Sequence, residues 1–273
     1  MVLRVAIAGF GAIGKVVAER LDRGADGRGI EGLRLAAVSA RDTARAEAAL
    51  AGFARPVPVL PLAQLGEAAD IVVECAPAAL LRDIAEPALR RGRLVMTLSC
   101  GALLDHFDLV ELARRHGGRI LVPTGALLGL DAVAAAAEGG ISRVHMITRK
   151  PPGGLAGAPY LIENGIEVAG LTAPRRVFTG KARDAARGFP ANVNVAAALA
   201  LAGIGPDRTT VEIWADPGIS RNLHRIEVEA DAARFTLEIE NVPSAGNPRT
   251  GRLTPLSVIA ALKKLASPLA VGT

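Results

Sequence analysis

The sequence feature that most constrains the fold is a glycine pattern close to the N-terminus. Three glycines with the spacing G-x-G-x-x-G lie between an apolar run over residues 3–8 and a helical pattern over residues 13–21. In that context the first glycine permits a tight turn, the second lets the backbone approach a pyrophosphate, and the third lets helix and strand pack closely. The pattern therefore predicts that a dinucleotide lies against the start of the helix. The predicted contacts are Gly9, Gly11, Ala12, Ile13 and Gly14.

The first half of the chain alternates short apolar runs with helical patterns. The runs that indicate strands are residues 3–8, 33–38, 71–74, 94–98 and 120–122. Such alternation is typical of an α/β domain, so we predict a Rossmann-type doubly wound parallel sheet over residues 1–125.

After residue 126 the pattern changes. The apolar runs are short, several alternate with polar residues, and few helical stretches separate the last three. They are residues 144–148, 177–179, 211–214, 224–228 and 235–239. This pattern predicts a smaller α+β domain over residues 126–253, with a mostly antiparallel sheet whose exposed face favours a homodimer.

Two connecting segments complete the predicted organisation. Residues 150–159, which contain Pro-Pro-Gly-Gly, are expected to form an irregular loop of the kind that is often functional. At the C-terminus, Thr254 is expected to cap a helix that has Pro255 in its first turn. We expect this helix, over residues 254–273, to return to the first domain.

Composition excludes several classes of function. Half of the 273 residues are apolar, which is ample for a core, and the run before Gly9 is too short for a signal peptide or a membrane span. The net charge is +5, but basic residues are scattered and aromatic residues make up only 3%, so no nucleic-acid partner is expected. The two cysteines, Cys75 and Cys100, lie in apolar runs that indicate strands, and we interpret them as core thiols of a cytoplasmic protein. No metal site is expected.

The end of the second strand bears on the choice between NAD and NADP. An NAD-specific site would have an acidic residue there to bind the ribose 2′-hydroxyl, but this chain has Ser39, followed by Arg41. Serine removes the repulsion toward a 2′-phosphate, and the arginine supplies a cation for it. We therefore expect that NADP is accepted, while Asp42 supports the competing interpretation of NAD binding.

Small residues follow the next two strands. Cys75, Ala76 and Pro77 come after the run at 71–74, and Ser99 comes after the run at 94–98. Because ligands bind at the carboxyl edge of a doubly wound sheet, these residues are predicted cofactor contacts. Ordinary strand-to-helix turns explain each of them equally well.

Among the four histidines, His224 is the candidate for proton transfer. It follows a turn-rich stretch over residues 216–222 and begins a strand, so a loop is expected to deliver its side chain into a cleft. His106 and His116 flank a polar helical stretch and are expected to face solvent, while His145 lies within a strand and faces either side.

Two further clusters contain amides and a guanidinium. Asn192 and Asn194 stand at the start of an apolar helix, where Asn194 is placed to cap the helix and Asn192 to bind a ligand. Turn chemistry accounts for them as well. The segment over residues 247–250 combines a turn former with Arg249, whose guanidinium can hold a carboxylate in a fork.

Taken together, these residues resemble L-aspartate dehydrogenase. The motifs that carry the resemblance are VAIAGFGAIG (5–14), PTGALLGLDA (123–132), RKPP (149–152), FPANVNVAA (189–197) and NLH (222–224). By this resemblance the catalytic residue is His224, and nicotinamide-side contacts fall near Ala126 and on Asn192 or Asn194, without a choice between the two. Ser39 departs from the resemblance, because it stands where an NAD-specific site has an acidic residue, and this argues against strict NAD specificity.

The resemblance implies a reaction. Hydride would pass from Cα of L-aspartate to C4 of the nicotinamide of NAD or NADP, giving iminoaspartate. His224 would position the amine, manage its proton and activate water for hydrolysis to oxaloacetate and ammonia, and the imine can feed NAD biosynthesis. The two substrate carboxylates need cations, for which Arg249 is the first candidate and Lys150 the second.

Other enzymes remain as alternatives. Dihydrodipicolinate reductase and homoserine dehydrogenase also place a smaller mixed domain after a Rossmann domain, and a substrate panel would separate them. A non-catalytic dinucleotide sensor would need a partner-binding module, but the second half has no evident helix-turn-helix or basic recognition helix.

Overall fold

The computed structural model describes residues 2–23, 27, 29–190, 194–244 and 247–272, and for residues 247–250 it describes the backbone alone. The chain divides into two compact units. Unit 1 is Met1–Pro123 with Pro255–Val271, and unit 2 is Thr124–Thr254 with Gly272–Thr273.

Unit 1 is built on a five-stranded sheet in which every neighbouring pair is parallel. Its strands are β1 (Leu3–Ala8), β2 (Leu33–Ser39), β3 (Ile71–Glu74), β4 (Leu94–Thr97) and β5 (Arg119–Leu121). The order across the sheet is β2-β1-β3-β4-β5. The predicted Rossmann-type sheet is confirmed, and its strand bounds differ from the prediction by one residue at most.

Helices cover this sheet. They are α1 (Ala12–Asp22), α2 (Thr43–Leu50), α3 (Leu65–Ala68), α4 (Leu81–Leu89), α5 (Cys100–Asp105), α6 (Asp108–His116) and, from the end of the chain, α12 (Leu253–Ala266). Val258 and Leu262 of α12 belong to the same buried core as Val5 and Ile7 of β1. Because α12 begins at Leu253, the predicted cap residue Thr254 lies inside the first turn and is not the N-cap, so that prediction was wrong.

The strand order creates a crevice at the carboxyl edge of the sheet. From β1 the chain crosses to β2 on one side, and β3 then pairs with β1 on the other. In doubly wound sheets this switch point is where ligands bind. The loops after β1, β2, β3 and β4 therefore define the part of unit 1 that matters for function.

Unit 2 holds a second five-stranded sheet, of order β10-β9-β6-β8-β7. Its strands are β6 (Ile141–Lys150), β7 (Arg175–Lys181), β8 (Thr210–Ala215), β9 (Asn222–Ala230) and β10 (Arg234–Asn241). Three neighbouring pairs are antiparallel and only β6 and β8 are parallel, which confirms the mostly antiparallel prediction. A small hairpin-like pair, β11 (Pro243–Ser244) and β12 (Asn247–Gly251), stands apart from this sheet.

The helices of unit 2 correct one expectation. They are α7 (Leu130–Gly139), α8 (Pro152–Leu155), α9 (Pro159–Glu163), α10 (Ala182–Gly188) and α11 (Asn194–Ala202). The segment predicted as an irregular loop over residues 150–159 instead ends β6 and forms α8 and the start of α9, because Pro152 and Pro159 each occupy a first helical position, where a missing N–H costs nothing. Among the described residues, no helix is long and apolar enough to cross a membrane.

Candidate active site

The glycine turn of unit 1 has no room for side chains at two of its three glycines. Gly9 has φ +101°, and a Cβ there would lie 2.7 Å from the carbonyl oxygen of Cys75. A Cβ on Gly14 would overlap the carbonyl oxygen of Gly9, so α1 can approach β1 only because that residue is glycine.

Gly11 differs because the space beside it is open. An added Cβ would meet nothing within 4 Å, and Gly11 is the N-cap of α1 without any side-chain hydrogen bond to the helix. No side chain therefore caps the first amides of α1, which begins with Ala12 and Ile13. The space beside the preceding residue, Gly11, is open. A pyrophosphate fits that combination, since it needs N–H donors and close access to the backbone.

The end of β2 lies against the same turn. The N–H of Gly9 donates to the carbonyl of Ser39 at 2.9 Å, and Ser39 is buried. Arg41 is exposed. The carboxylate of Asp42 accepts from the backbone N–H of Arg45 at 3.0 Å, so Asp42 is the N-cap of α2. Capping thus accounts for the acidic residue that the sequence left as a competing ribose ligand.

The loops after β3 and β4 contain the remaining predicted contacts of unit 1. The N–H of Cys75 donates to the carbonyl of Ala8 at 2.8 Å, Ala76 is half-buried, Pro77 is exposed and Ser99 is buried. The two strands end at Glu74 and Thr97, so Cys75 and Cys100 lie just beyond them, which corrects their predicted place inside strands. Both are unpaired thiols. Burial raises the pKa of Cys100 to about 12, so this thiol is not a nucleophile.

In unit 2, His224 lies on the inward face of the second sheet. It is the third residue of β9 and not the first, because the strand begins at Asn222. Its side chain is buried, and its Nδ1 lies 3.1 Å from Oγ1 of Thr148, the residue directly opposite on β6. A residue that the sequence did not single out, Thr148, therefore fixes the orientation of the imidazole.

Lys150 is buried at the end of the same strand. It follows Val144, Met146 and Thr148 along the inward face of β6, so the face becomes polar where the strand ends. Burial lowers the pKa of Lys150 to about 8. Burial, and then the charge of Lys150, lower the pKa of His224 to about 3. At neutral pH this is a neutral imidazole beside a cation.

The loop before β9 is held by Asp216. Its backbone N–H donates to the carbonyl of Lys150 at 2.8 Å, and its side chain accepts from the N–H of Gly218 at 2.9 Å. The carboxylate also pairs with Arg149 at 3.2 Å, and that guanidinium lies 5.1 Å from the centre of the Trp214 ring. These bonds tie the turn-rich stretch to the end of β6, beside Lys150.

The other predicted residues of unit 2 are less fully defined. Ala126 is half-buried, and its carbonyl accepts from the side-chain amide of Asn241 at 2.9 Å. Asn194 is the first residue of α11, whereas Asn192 lies outside the described residues. Arg249 lies in β12, where the sequence indicated a turn, because this segment pairs with β11. Its side chain lies outside the described part of the chain.

The remaining histidines lie elsewhere. His145 is on the outward face of β6, with Nδ1 2.8 Å from Oγ1 of Thr210. His116 is exposed at the end of α6, and His106 is half-buried just after α5, although both were expected to face solvent. Among the described residues no group of three or more His, Cys, Asp or Glu side chains is arranged to hold a metal ion.

Sequence reasoning missed three buried polar residues that shape these sites. Glu74, Thr148 and Asn241 are each at most 3% exposed. Glu74 carried a signal, since it is the single charge in the apolar run Ile-Val-Val-Glu of a strand expected to be buried on both faces. Thr148 and Asn241 carried none, because their partners are distant in sequence.

Comparison with protein families assigns both halves of the chain. Residues 131–265 match the family model described as "Aspartate dehydrogenase, C-terminal", and residues 9–123 match "Homoserine dehydrogenase, NAD binding domain". Unit 1 therefore carries an NAD-binding domain, and the cofactor is NAD or NADP.

Whole-length relatives agree with both matches. The "L-aspartate dehydrogenase" of Bradyrhizobium diazoefficiens is 60% identical over 99% of this chain and 94% of that protein, and the "L-aspartate dehydrogenase 3" of Bordetella bronchiseptica is 56% identical over 99% and 98%. The crystal structure of aspartate dehydrogenase from Thermotoga maritima shares the fold, with a TM-score of 0.72, 22% identity and full coverage of both chains. The resemblance drawn from the sequence motifs is confirmed: the chain belongs to the L-aspartate dehydrogenase family.

Proposed function

We propose that this chain oxidises L-aspartate to iminoaspartate with NAD or NADP, and that water then releases oxaloacetate and ammonia. The observation that carries the proposal is the buried polar group of unit 2, in which a neutral imidazole, His224, lies beside a cation, Lys150. A dicarboxylic amino acid needs both a proton acceptor for its amine and positive charge for its carboxylates.

Each residue has a separate role in the proposed reaction. A bound nicotinamide would supply the acceptor for the hydride that leaves Cα with its electron pair. Thr148 holds Nδ1 of His224, which leaves Nε2 to take the proton that the substrate amine loses. The negative charge of the bound carboxylates raises the pKa of the imidazole, so His224 becomes a better proton acceptor once substrate is present. Lys150 binds a carboxylate, and Arg249 remains the first candidate for the other.

The cofactor contacts that we propose for unit 1 follow from its carboxyl edge. The glycine turn and the start of α1 bind the pyrophosphate, and the loops that contain Cys75, Ala76, Pro77 and Ser99 carry the nicotinamide half. In unit 2 we propose Ala126 and one of Asn192 and Asn194. We propose that NADP is accepted because Ser39 places no negative charge near a 2′-phosphate, exposed Arg41 supplies a cation, and the carboxylate of Asp42 caps α2.

A homodimer and a cytoplasmic location complete the proposal. The outward face of the second sheet carries a network of ion pairs, including Arg143 with Glu227 and Arg225 with Glu238. We propose that a second copy of the chain covers this face. A surface that carries charges of both signs can pair with the same surface of the second copy across a two-fold axis. The two unpaired thiols suit a reducing compartment. Sedimentation of the purified chain tests the dimer.

The decisive experiment follows NAD(P)H absorbance at 340 nm. L-aspartate, D-aspartate, L-homoserine and L-glutamate are offered with each oxidised cofactor, and oxaloacetate plus ammonia with each reduced one. We expect turnover with L-aspartate and in the reverse direction with oxaloacetate. Turnover of homoserine alone, or cofactor binding without turnover of any amino acid, would contradict the proposal.

A further inference from the structure

Glu74 is an ionisable residue with no place in the reaction described above, yet it is completely buried, and burial raises the pKa of its carboxyl group. It ends β3, and both of its carboxylate oxygens accept hydrogen bonds. Oε1 accepts from the N–H of Ala76 at 3.1 Å and from Oγ of Ser99 at 3.0 Å. Oε2 accepts from Oγ1 of Thr97 at 2.8 Å and from the N–H groups of Leu98 and Ser99 at 3.1 and 2.9 Å.

These five bonds join two loops. Three of the donors are backbone N–H groups, one in the loop after β3 and two in the loop after β4, and both loops lie at the carboxyl edge of the sheet. One side chain seldom accepts hydrogen bonds from so many buried loop amides, since backbone groups usually pair with each other. An apolar residue at position 74 would leave all three amides without this acceptor, and within the described part of the chain only the N–H of Ser99 has a second one, Oγ1 of Thr97 at 3.2 Å.

The loop after β3 also supports the glycine turn. A Cβ at Gly9 would lie 2.7 Å from the carbonyl oxygen of Cys75 and 2.8 Å from the nitrogen of Ala76. The peptide group between Cys75 and Ala76 is therefore the surface on which the first glycine of the turn rests. The bond from the N–H of Ala76 to Glu74 fixes that same peptide group.

We propose that Glu74 is a positioning residue for the cofactor: its carboxylate sets the two loops after β3 and β4 and, through the Cys75–Ala76 peptide, the glycine turn that receives the pyrophosphate. Glu74 itself touches neither cofactor nor substrate. The inference rests on the NAD(P)-dependent function proposed above.

The substitution Glu74→Gln tests this proposal because its geometry predicts which bond is lost. If the new NH2 group replaced Oε2, it would face the N–H groups of Leu98 and Ser99, and two pairs of donors would oppose each other. If it replaces Oε1, the hydroxyl of Ser99 can turn and accept from it, and only the N–H of Ala76 loses its acceptor. The glutamine side chain would therefore adopt the second orientation and release the peptide behind Gly9.

Thr97→Val is the matched control. It removes the bond from the last residue of β4 to the same carboxyl group, and also the second acceptor of the Ser99 N–H at 3.2 Å. All three loop amides keep their bonds to Glu74. Both variants should lower the Tm without cofactor. Only Glu74→Gln should weaken NADH binding, with a Kd about tenfold higher in a fluorescence titration, since the N–H of Ala76 loses its buried acceptor. The KM for cofactor should rise in parallel, while the KM for L-aspartate stays within twofold.

The following outcomes test the positioning role of Glu74. A wild-type Kd for NADH in Glu74→Gln, or an equal rise of Kd in Thr97→Val, would overturn the positioning role. If Glu74→Gln does not fold, Glu74→Asp takes its place, because aspartate keeps the carboxyl group but is too short to reach both loops. The same comparison with Thr97→Val then decides. A wild-type chain that bound neither NADH nor NADPH would contradict the proposed function and not this inference in particular.

Discussion

The hydroxyl of Thr148 lies 3.1 Å from Nδ1 of His224, and the two residues stand directly opposite each other on antiparallel strands. Because this bond occupies one ring nitrogen, it determines which nitrogen is left for a ligand. Thr148→Val keeps the shape of the side chain and removes the bond. We expect kcat to fall about tenfold, which corresponds to an activation free energy higher by roughly 1.4 kcal/mol, because the imidazole is no longer oriented. The KM for L-aspartate should change little.

Steady-state kinetics at saturating cofactor check this expectation. Thr148→Ser serves as the control, because it keeps the hydroxyl and should restore most of kcat. A threefold or smaller loss in Thr148→Val, or no rescue by serine, would show that the hydroxyl does not orient the imidazole.

His224→Ala removes the proposed proton acceptor. We expect kcat to fall roughly 10²-fold or more, which is the usual contribution of a positioned acid or base. His145→Ala is the control, since His145 lies in β6 with its ring bonded to Thr210 on the outward face. It should retain near-normal turnover. Near-normal kcat in His224→Ala would refute the role of His224.

Acid should destabilise the protein through His224. Its pKa is about 3 in the folded chain against an ordinary 6.5, so between those values the unfolded chain binds the extra proton. The free energy of unfolding therefore falls as pH falls below 6.5, by up to about 1.4 kcal/mol per pH unit from this group. Asp70, whose pKa its hydrogen bond to Arg4 lowers to about 2, contributes a loss only below its ordinary 3.8.

Urea unfolding at pH 7, 6, 5 and 4.5 measures this dependence. His224→Gln should lose stability less steeply than the wild type over that range, because glutamine does not titrate. Parallel curves for the two proteins would mean that burial does not keep His224 neutral.

The first unit was largely predictable from the sequence, for a physical reason. Its strands pair in parallel and are buried, so each appears as a short apolar run, and its glycine turn is a local pattern over residues 9–14. The alternation of apolar runs and helical patterns was enough to predict which loops lie at the carboxyl edge of the sheet. The same reasoning could not show that Asp42 caps α2, because a capping aspartate and a ribose-binding aspartate occupy similar places after a strand.

The second unit was harder to predict because its polar group depends on strand register. Thr148 and His224 are 76 residues apart, and nothing local in either segment specifies that they face each other. The sequence indicated β6 and β9 but not their pairing, and it placed an irregular loop where proline starts two short helices. Lys150 emerged only from the family resemblance. The structure adds that it is buried and that its charge acts on His224.

Lys150 should bind a carboxylate only while it is charged. Its pKa is about 8, so the cation is lost as pH rises through that value. Succinate is a suitable probe, since it has two carboxylates and no amine to titrate. We expect its Ki against L-aspartate to be flat between about pH 6.5 and 7.5, where both of its carboxylates are ionised, and to rise toward tenfold per pH unit above pH 8.

The substitution Lys150→Arg separates charge from other effects of pH. Arginine stays protonated throughout, so the Ki of the variant should remain flat to pH 9.5 even if its absolute value is higher. If the wild-type Ki does not change across pH 8, or if Lys150→Arg shows the same rise, Lys150 is not the carboxylate ligand.

Arg41 should govern the use of NADP. Without its guanidinium a 2′-phosphate loses a charge-assisted contact, so Arg41→Ala should lower kcat/KM for NADP about 10–150-fold, as expected for about 1.5–3 kcal/mol. The value for NAD should change less than threefold. Asp42→Ser is the informative companion, because serine preserves the N-cap of α2 but removes the carboxylate. If Asp42 only caps the helix, NAD is used as well as before. A tenfold loss with NAD would instead make Asp42 the ribose ligand, and an unchanged NADP value in Arg41→Ala would place the 2′-phosphate away from this loop.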